Sequence, residues 1–233
     1  MVFIVAEIGV NWDGDFDLLR EMMQAAKDAG CSAIKLQAFL ENMIKNHPES
    51  TRLIRTSVTK ENVSTVDELA KNVGIEWFST PFYPEAVDFL DPYVKRFKIR
   101  ELDGRSLIEN KPSELVEHVL KTKKEVIVSS QVSPKNTSRY FGEPKIRWLY
   151  CVPKYPCSLT DLHFENLEDF DGYSNHHPHV IAPLSAAILG AEIIEVHITS
   201  DKSKDFIDNS VSLDYQELYN LIDMINMAKK IIM

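Results

Sequence analysis

Short apolar runs alternate with helical patterns along almost the whole chain of 233 residues. Eight of these runs predict β-strands, at 3–8, 33–37, 75–79, 94–99, 125–129, 146–151, 170–173 and 193–197. The runs are close to continuously apolar, which is typical of strands that are buried on both faces of a parallel sheet. Strands that alternate with helices over this length predict a minimal (β/α)8 barrel, or TIM barrel, and a doubly wound open sheet is the alternative.

The predicted helices lie between and after these strands, at 16–29, 64–73, 84–90, 112–121, 178–189 and 213–231. Ser64 is expected to cap the second of them. The segment at 132–144 has two prolines, one glycine and little apolar periodicity, so the fifth helix is expected to be weak or missing. No glycine-rich phosphate loop follows the first strand, which disfavours a dinucleotide-binding open sheet. No linker interrupts the pattern, and we expect residues 1–233 to form one domain.

The composition is that of a globular protein, with 44% hydrophobic and 26% charged residues. The formal net charge is -9 and there is no basic cluster, which argues against nucleic acid and anionic membrane surfaces as partners. No apolar run approaches the ~20 residues of a membrane span, and residues 1–5 lack the basic flank of a signal peptide. The cysteines at 31, 151 and 157 have no metal-type or disulfide-type spacing. We therefore expect a cytoplasmic protein.

Two histidines occupy corresponding places near the C-terminal end of the chain. His176 and His197 each close a predicted strand, and the predicted helix at 178–189 lies between them. Adjacent parallel strands joined in this way place both imidazoles at the same end of one sheet, as in many catalytic divalent-metal sites. Each histidine could instead be an ordinary half-buried residue, so the two form a candidate metal site.

In a barrel of this kind the active site lies at the C-terminal ends of the strands. Lys35 and Lys98 stand there amid apolar sequence, where a charge is costly unless it is paired or functional. They are either internal partners of Glu7 or Glu195, or cations that bind a phosphate or carboxylate. Together with the histidines, which suit a metal that polarises a carbonyl, they predict addition of an anionic carbon nucleophile to an aldehyde. Further polar residues at this end are Asn11, Gln37, Ser79, Thr80, Arg100, Glu101, Asp103, Ser129, Ser130, Gln131, Lys154, Tyr155, Ser174 and Asn175.

Seven segments resemble, in order and with compatible spacing, the motifs of the sialic acid synthase family. They are AEIGVN at 6–11, GCSAIKLQ at 30–37, STPF at 79–82, FKI at 97–99, YP at 155–156, GYSNH at 172–176, and GA at 190–191 through EVH at 195–197. The resemblance covers nearly the whole chain. The catalytic domain of this family is a (β/α)8 barrel, so the resemblance implies the same fold as the strand pattern.

The resemblance implies metal-dependent condensation of phosphoenolpyruvate with an aldose similar to N-acetylmannosamine, which gives a nonulosonic acid of the sialic type and phosphate. It implies that His176 and His197 hold a divalent metal, with Mn²⁺ favoured over Mg²⁺, Co²⁺ and Zn²⁺. It also implies that phosphoenolpyruvate is bound by a group of cationic and hydroxyl side chains, namely Lys35, Thr80, Lys98, Tyr155 and Ser174. Three carboxylates have implied catalytic roles: Glu7 among the reacting groups, Asp103 beside the amino sugar, and Asp208 in the loop after strand eight.

The chain departs from the family pattern near the implied phosphate site. Arg100, Glu101 and Leu102 stand where the family usually has small residues with a phosphate-binding serine. The carboxylate of Glu101 would repel phosphate unless it turns away or pairs with Arg100. Pro153 stands where some members have an asparagine that helps to bind phosphoenolpyruvate.

The family also implies a homodimer, and its C-terminal antifreeze-like domain, which helps to close the sugar site, is expected to be absent. A separate chain could supply that lid. Two other functions stay open at this point. One is a divergent barrel that binds a metal or a small anionic ligand without turnover, and the other is an aldolase that forms a Schiff base on Lys98 or Lys35.

Overall fold

Strand pairing proceeds in chain order from β1 to β8 and closes where β8 pairs in parallel with β1. The computed structural model describes residues 1–137, 139–143 and 145–232. The strands are β1 Phe3–Glu7, β2 Ala33–Ala38, β3 Glu76–Pro81, β4 Arg96–Ile99, β5 Glu125–Ser130, β6 Ile146–Cys151, β7 Gly172–Asn175 and β8 Ile193–His197. The predicted (β/α)8 barrel is therefore confirmed, and the open-sheet alternative is wrong because the sheet has no free edge.

The helices surround this barrel, and the longer ones pack their apolar faces onto it. They are α1 Phe16–Ala29, α2 Glu41–Ile44, α3 Ser50–Leu53, α4 Val63–Val73, α5 Pro84–Leu90, α6 Glu101–Ile108, α7 Glu114–Lys121, α8 Ile181–Ile188 and α9 Tyr215–Ile232. In α1, the Asp15 side chain accepts hydrogen bonds from the first-turn amides, and Gly30 ends the helix in the left-handed conformation, with φ 99°. These local signals explain why the bounds of α1 agree with the prediction.

Two units of the barrel lack an α-helix in the described part of the chain. After β5 the described residues form only a 3₁₀ turn at Pro134–Asn136, which confirms the weak fifth helix, although residues 138 and 144 lie outside the description. After β6 there are only 3₁₀ turns, at Leu159–Asp161 and Phe164–Asp169. This second irregular unit was not predicted.

Three local predictions need correction. Helix α4 already begins at Val63, so Ser64 lies inside its first turn and does not cap it. Strand β7 begins at Gly172, because Phe170 still closes the preceding 3₁₀ turn by donating its amide to Leu167. Helix α6 starts directly after β4 and was not predicted. Gly104 interrupts its pattern, yet is required there because a Cβ would come within 2.7 Å of the Ser129 carbonyl oxygen.

The strand register aligns the polar strand ends on one rim of the barrel. Glu7 of β1 is opposite Lys35 of β2 on one side and opposite His197 of β8 on the other. Ser174 of β7 is opposite Glu195 of β8. Large apolar side chains that have almost no exposed surface form the core of the molecule, including Trp12, Phe78, Phe97 and Tyr173. None of the helices in the described residues is long and apolar enough to cross a membrane.

Candidate active site

A cavity of about 400 Å³ opens at the C-terminal end of the barrel, where parallel strands of this fold place their active sites. Nine of the ten residues predicted for the site line it: Glu7, Lys35, Thr80, Lys98, Tyr155, Ser174, His176, His197 and Asp208. The strand register brings these side chains together although they are up to two hundred positions apart in the chain. The tenth residue, Asp103, is not among the lining residues.

Glu195 is the centre of the charged network on the cavity floor. Lys98 donates to both of its carboxylate oxygens, at 2.8 and 2.9 Å, and the Ser174 hydroxyl donates to one of them at 2.8 Å. Lys35 lies 3.5 Å away. Burial opposes ionisation of Glu195, but Lys35 and Lys98 more than offset it and hold the pKa of this carboxyl below its usual value. Glu195 is therefore an anion that two cations share.

The two lysines differ in their surroundings. Lys35 lies 3.3 Å from a Glu7 oxygen and 3.3 Å from the Thr80 hydroxyl, to which it donates. Burial lowers the pKa of Lys35, but Glu195 and Glu7 outweigh burial and raise it overall. For Lys98, which is 2% exposed, burial dominates and lowers the pKa. The internal ion pairs that the sequence offered as one explanation for these lysines are thus present, and they lie inside the cavity.

Glu7 keeps one oxygen available. Its Oε1 accepts a hydrogen bond from Gln37 at 2.9 Å, whereas the buried Oε2 has no partner among the described residues. Burial raises the pKa of Glu7 despite the nearby Lys35. Gly9 makes room for this carboxylate: its φ is +53°, and a Cβ there would lie 3.1 Å from Glu7 Oε1 and 3.4 Å from Asp208 Oδ2.

His176 is held in one tautomer. Its Nδ1 is 2.7 Å from the Val152 carbonyl, which can only accept, so Nδ1 carries the hydrogen and Nε2 presents its lone pair. The Tyr155 hydroxyl donates to Nε2 at 2.6 Å. Burial, assisted by His197, lowers the pKa of His176 to about 3. The ring is therefore neutral at pH 7, which is the form that binds metals.

His197 faces His176 across 5.5 Å between ring centres. Its Nδ1 is 3.4 Å from Asp208 Oδ2, a distance that gives electrostatic attraction but is too long for a well-formed hydrogen bond. Burial lowers the pKa of His197, but the Asp208 carboxylate outweighs burial and raises it overall. The Asp208 carboxylate therefore favours the protonated form of His197.

The histidine pair fits a divalent metal in its donor chemistry. One imidazole has the backbone-fixed tautomer that metal ligands commonly show, and the buried His197 Nδ1 lacks a hydrogen-bond partner in the described part of the chain. No cluster of three or more His, Cys, Asp or Glu side chains suited to a metal occurs within residues 1–137, 139–143 and 145–232. A metal here would thus take its remaining ligands from substrate or water.

The rim after β4 differs from the prediction. Glu101 pairs with Arg105, at 3.0 and 2.8 Å, and not with Arg100. Arg100 instead donates to Asp103 at 2.5 Å and lies over the Phe82 ring at 4.0 Å. The α6 helix explains both contacts, because it places residues three and four apart on one face. Asp103 is thereby directed to Arg100, and its contact with an amino sugar stays a prediction.

Several lining residues were not predicted as site residues. Glu195 was weighed only as an ion-pair partner, although its position two residues before His197 puts both side chains on the same face of β8. Gln37 could have been found in the same way from Lys35 on β2. The segment between β2 and α4 also reaches the cavity, through Ile44, His47 and Leu53. Its sequence has no periodicity from which this could have been inferred.

Comparison with known proteins agrees with this geometry. A family model described as the NeuB family matches residues 22–233. The chain is 31% identical to the N,N'-diacetyllegionaminic acid synthase of Legionella pneumophila, over 99% of this chain and 73% of that protein. It is 30% identical to a pseudaminic acid synthase of Campylobacter jejuni, over 98% of this chain and 74% of that protein.

A solved structure has the same fold. The N-acetylneuraminic acid synthetase of Leptospira borgpetersenii, crystallised with citrate, superimposes with a TM-score of 0.87 and 28% sequence identity. The match covers 99% of this chain and 85% of that one. The family model, the sequence relatives and the fold all agree, and the chain belongs to the NeuB family.

Proposed function

We propose that this protein condenses phosphoenolpyruvate with an aldose similar to N-acetylmannosamine, in a metal-dependent reaction that yields a nonulosonic acid of the sialic type and phosphate. One observation carries the proposal: a buried network of Lys35, Lys98 and Glu195 lies in the same cavity as the paired imidazoles of His176 and His197. The relatives support it, because they are named as synthases of legionaminic and pseudaminic acids.

The floor of the cavity suits the anionic substrate. Phosphoenolpyruvate carries a phosphate and a carboxylate, and ammonium and hydroxyl groups are good donors to both. Lys98 uses two contacts on Glu195, so one of its three N–H donors remains for a ligand. Lys35 and the Thr80 hydroxyl lie 3.3 Å apart and can bind one anionic group together. Ser174 adds a second hydroxyl next to Glu195.

His176 and His197 would hold the metal, and Tyr155 lies beside the Nε2 atom of His176 that would bind it. When bound, the ion supplies Lewis-acid polarisation of the aldehyde and offsets part of the charge of phosphoenolpyruvate. The residues do not select among Mn²⁺, Mg²⁺, Co²⁺ and Zn²⁺, and Mn²⁺ is proposed from the family resemblance. The Tyr155 hydroxyl has to leave Nε2 for this atom to bind an ion.

The proton transfers of the reaction can be carried out by residues of this chain. The C2–C3 π electrons of phosphoenolpyruvate form the new bond from C3 to the aldehyde carbon, and water adds at C2 before the C2–O bond to phosphate breaks. The attacking water loses two protons in all, of which one goes to the aldehyde oxygen and the other to the departing phosphate. Glu7 is placed for this exchange, since it lines the cavity, its Oε2 has no hydrogen-bond partner among the described residues, and burial raises its pKa.

The Schiff-base alternative also has an observation in its favour, because burial lowers the pKa of Lys98. However, Lys98 donates to both oxygens of Glu195, which stabilises its protonated form and not the free amine. The aldolase mechanism also leaves the paired imidazoles of His176 and His197 without a role. Reduction with borohydride in the presence of an aldehyde or keto acid, followed by mass measurement of Lys98, separates the two mechanisms.

Calorimetric titration of phosphoenolpyruvate into metal-free and Mn²⁺-loaded protein tests the proposal directly. We expect the native protein to bind Mn²⁺ and phosphoenolpyruvate. The His176→Ala variant is expected to lose Mn²⁺ binding. His163→Ala is the matched control, because this histidine is 62% exposed and is not among the lining residues. Phosphate release with a series of aldoses then identifies the sugar. Failure to bind phosphoenolpyruvate in either state contradicts the synthase function and favours a different ligand on this barrel.

A further inference from the structure

The loop after β8, at 198–214, carries Asp208 to the edge of the cavity. The regular structure of this loop is one short 3₁₀ turn, Asn209–Val211, and a single β-bridge between Ile198 and Leu213. A carboxylate on such a loop samples many positions unless other contacts fix it, and fixing it costs conformational entropy. Asp208 is fixed by contacts within its own loop and by one residue of the loop after β1, Asn11.

Asn11 makes these contacts with all of its amide group. Its side chain is completely buried. The Nδ2 donates to the Ile198 carbonyl at 2.9 Å and to the Ser212 hydroxyl at 3.0 Å, and the Oδ1 accepts from the Asp208 backbone amide at 3.0 Å. These contacts reach both ends of the loop and the residue in its middle.

Ser212 completes the arrangement. Its hydroxyl accepts from Asn11 and donates to the Asp208 carbonyl at 2.7 Å. Both backbone polar groups of Asp208 therefore have partners: the amide donates to Asn11, and the carbonyl accepts from Ser212 and, at 3.1 Å, from the Val211 amide. The carboxylate is then held 3.4 Å from His197 Nδ1 and over the space that Gly9 leaves open.

We infer that Asn11 is a positioning residue, which acts through Asp208 to orient His197 for the reaction. The inference rests on the proposed function for its catalytic consequence, but the fixation of the loop does not depend on it. Asn11 itself is not among the residues that line the cavity, so its effect on the reaction has to pass through the loop. A purely structural asparagine would lower stability without selectively affecting Asp208 and His197.

Asn11→Ala tests this assignment. We expect kcat to fall by about 10–100-fold, because small misplacements of catalytic groups have effects of this size. Mn²⁺ affinity is expected to fall by about tenfold, as for lost outer-shell contacts. The dissociation constant of phosphoenolpyruvate should stay the same, since Lys35 and Thr80 are untouched. Hydrogen exchange of residues 198–212 should become faster in the metal-free protein.

Asn209→Ala is the matched control. This asparagine lies in the same loop, and its side-chain amide donates to the carbonyls of Asp201 and Lys204 but not to Asp208. It should leave kcat and Mn²⁺ affinity near those of the native protein. Equal effects of the two alanine variants would overturn the inference, because loss of any loop hydrogen bond would then suffice.

A double-mutant cycle asks whether Asn11 acts through Asp208. We expect Asn11→Ala to have almost no further effect on kcat in an Asp208→Ala background, whereas additive effects would overturn the inference. If Asn11→Ala does not fold, Ser212→Ala replaces it, with a smaller loss of about threefold. Should the native protein have no synthase activity, the proposed function fails, but hydrogen exchange and Mn²⁺ affinity still decide the role of Asn11.

Discussion

The two ends of the barrel use the same charged residue types in opposite ways. At the N-terminal end, Arg96 donates to Glu76 at 2.8 Å and to Glu125 at 2.5 Å, so it bridges three neighbouring strands. At the same end, Arg147 donates to Asp171 at 2.7 Å and to Glu192 at 2.6 Å. These side chains keep part of their surface in water. Each cation thus has its partners, and the carboxylates remain partly solvated.

At the C-terminal end the charges are almost fully buried and incompletely paired. Lys98 and Glu195 are 2% and 3% exposed, respectively. Glu7 Oε2, His197 Nδ1 and the Ser129 hydroxyl have no hydrogen-bond partner within the part of the chain that the structure describes. Unpaired buried polar groups are costly. The comparison indicates that the ion pairs at the N-terminal end stabilise the fold. The C-terminal end keeps polar atoms that a ligand could pair.

The largest expected effect follows from removing the buried cation. Lys98→Met should reduce synthase activity by about a thousandfold, because one preorganised charge acts on the phosphoenolpyruvate anion. It should also destabilise the fold by about 2–3 kcal/mol, since buried Glu195 loses its two hydrogen bonds from Lys98 and keeps only Lys35, at 3.5 Å, as a cation partner. Steady-state kinetics and urea denaturation measure the two effects.

The double variant Lys98→Met with Glu195→Gln is the control for this interpretation. It should recover most of the lost stability, because no unpaired charge remains, but none of the activity. Recovery of activity would show that Lys98 has only a structural role and would remove the contrast between the two ends.

The second effect concerns the free oxygen of Glu7. Glu7→Gln keeps the shape of the side chain but cannot exchange a proton, so we expect kcat to fall by about 100-fold or more. Binding of phosphoenolpyruvate should change little. The matched control is Glu21→Gln on α1, whose carboxylate accepts from Tyr215 at the surface and should not affect kinetics. A Glu7→Gln enzyme with native kcat would assign proton transfer to another group.

The third effect is at the opposite end of the barrel. Arg96→Met should lower the free energy of unfolding by about 1–2 kcal/mol, because this partly buried guanidinium has two carboxylate partners. Kinetics should remain native. Arg20→Met on α1, where the only pair is exposed, should change stability by less than about 0.5 kcal/mol. A clear kinetic effect of Arg96→Met would contradict the division between the two ends.

The smallest expected effect concerns the ion pair between Arg105 and Glu101 at the rim of the cavity. Arg105→Ala leaves Glu101 unpaired beside the cavity, and its charge should then repel phosphoenolpyruvate. We expect KM to rise by about fivefold, a modest effect because the Arg105 side chain is largely exposed to solvent. Adding Glu101→Gln should return KM to the native value. If KM stays constant in Arg105→Ala, Glu101 does not face the phosphate site.

The barrel could be predicted from the sequence because its strands are buried on both faces and therefore read as apolar runs. The histidines and lysines could be placed because a parallel barrel fixes where strand ends meet. The partners of Glu101 and Asp103 could not be predicted, because they depend on α6, whose glycine at 104 hides the helical pattern. Glu195 was predicted only as an ion-pair partner and not as a site residue, because a buried ion pair and a ligand-binding network contain the same residue types.

The contacts of Asn11 also bear on how the protein is made. They join residues separated by 187 and 201 positions, and β1 itself needs β8 as a neighbour. During synthesis, Glu7, Lys35, Thr80 and Lys98 leave the ribosome long before the histidines and the last loop. A nascent chain therefore cannot bind metal through both histidines until β8 has emerged. Ligand binding at this site can therefore stabilise only the finished barrel and adds nothing to the stability of the incomplete chain.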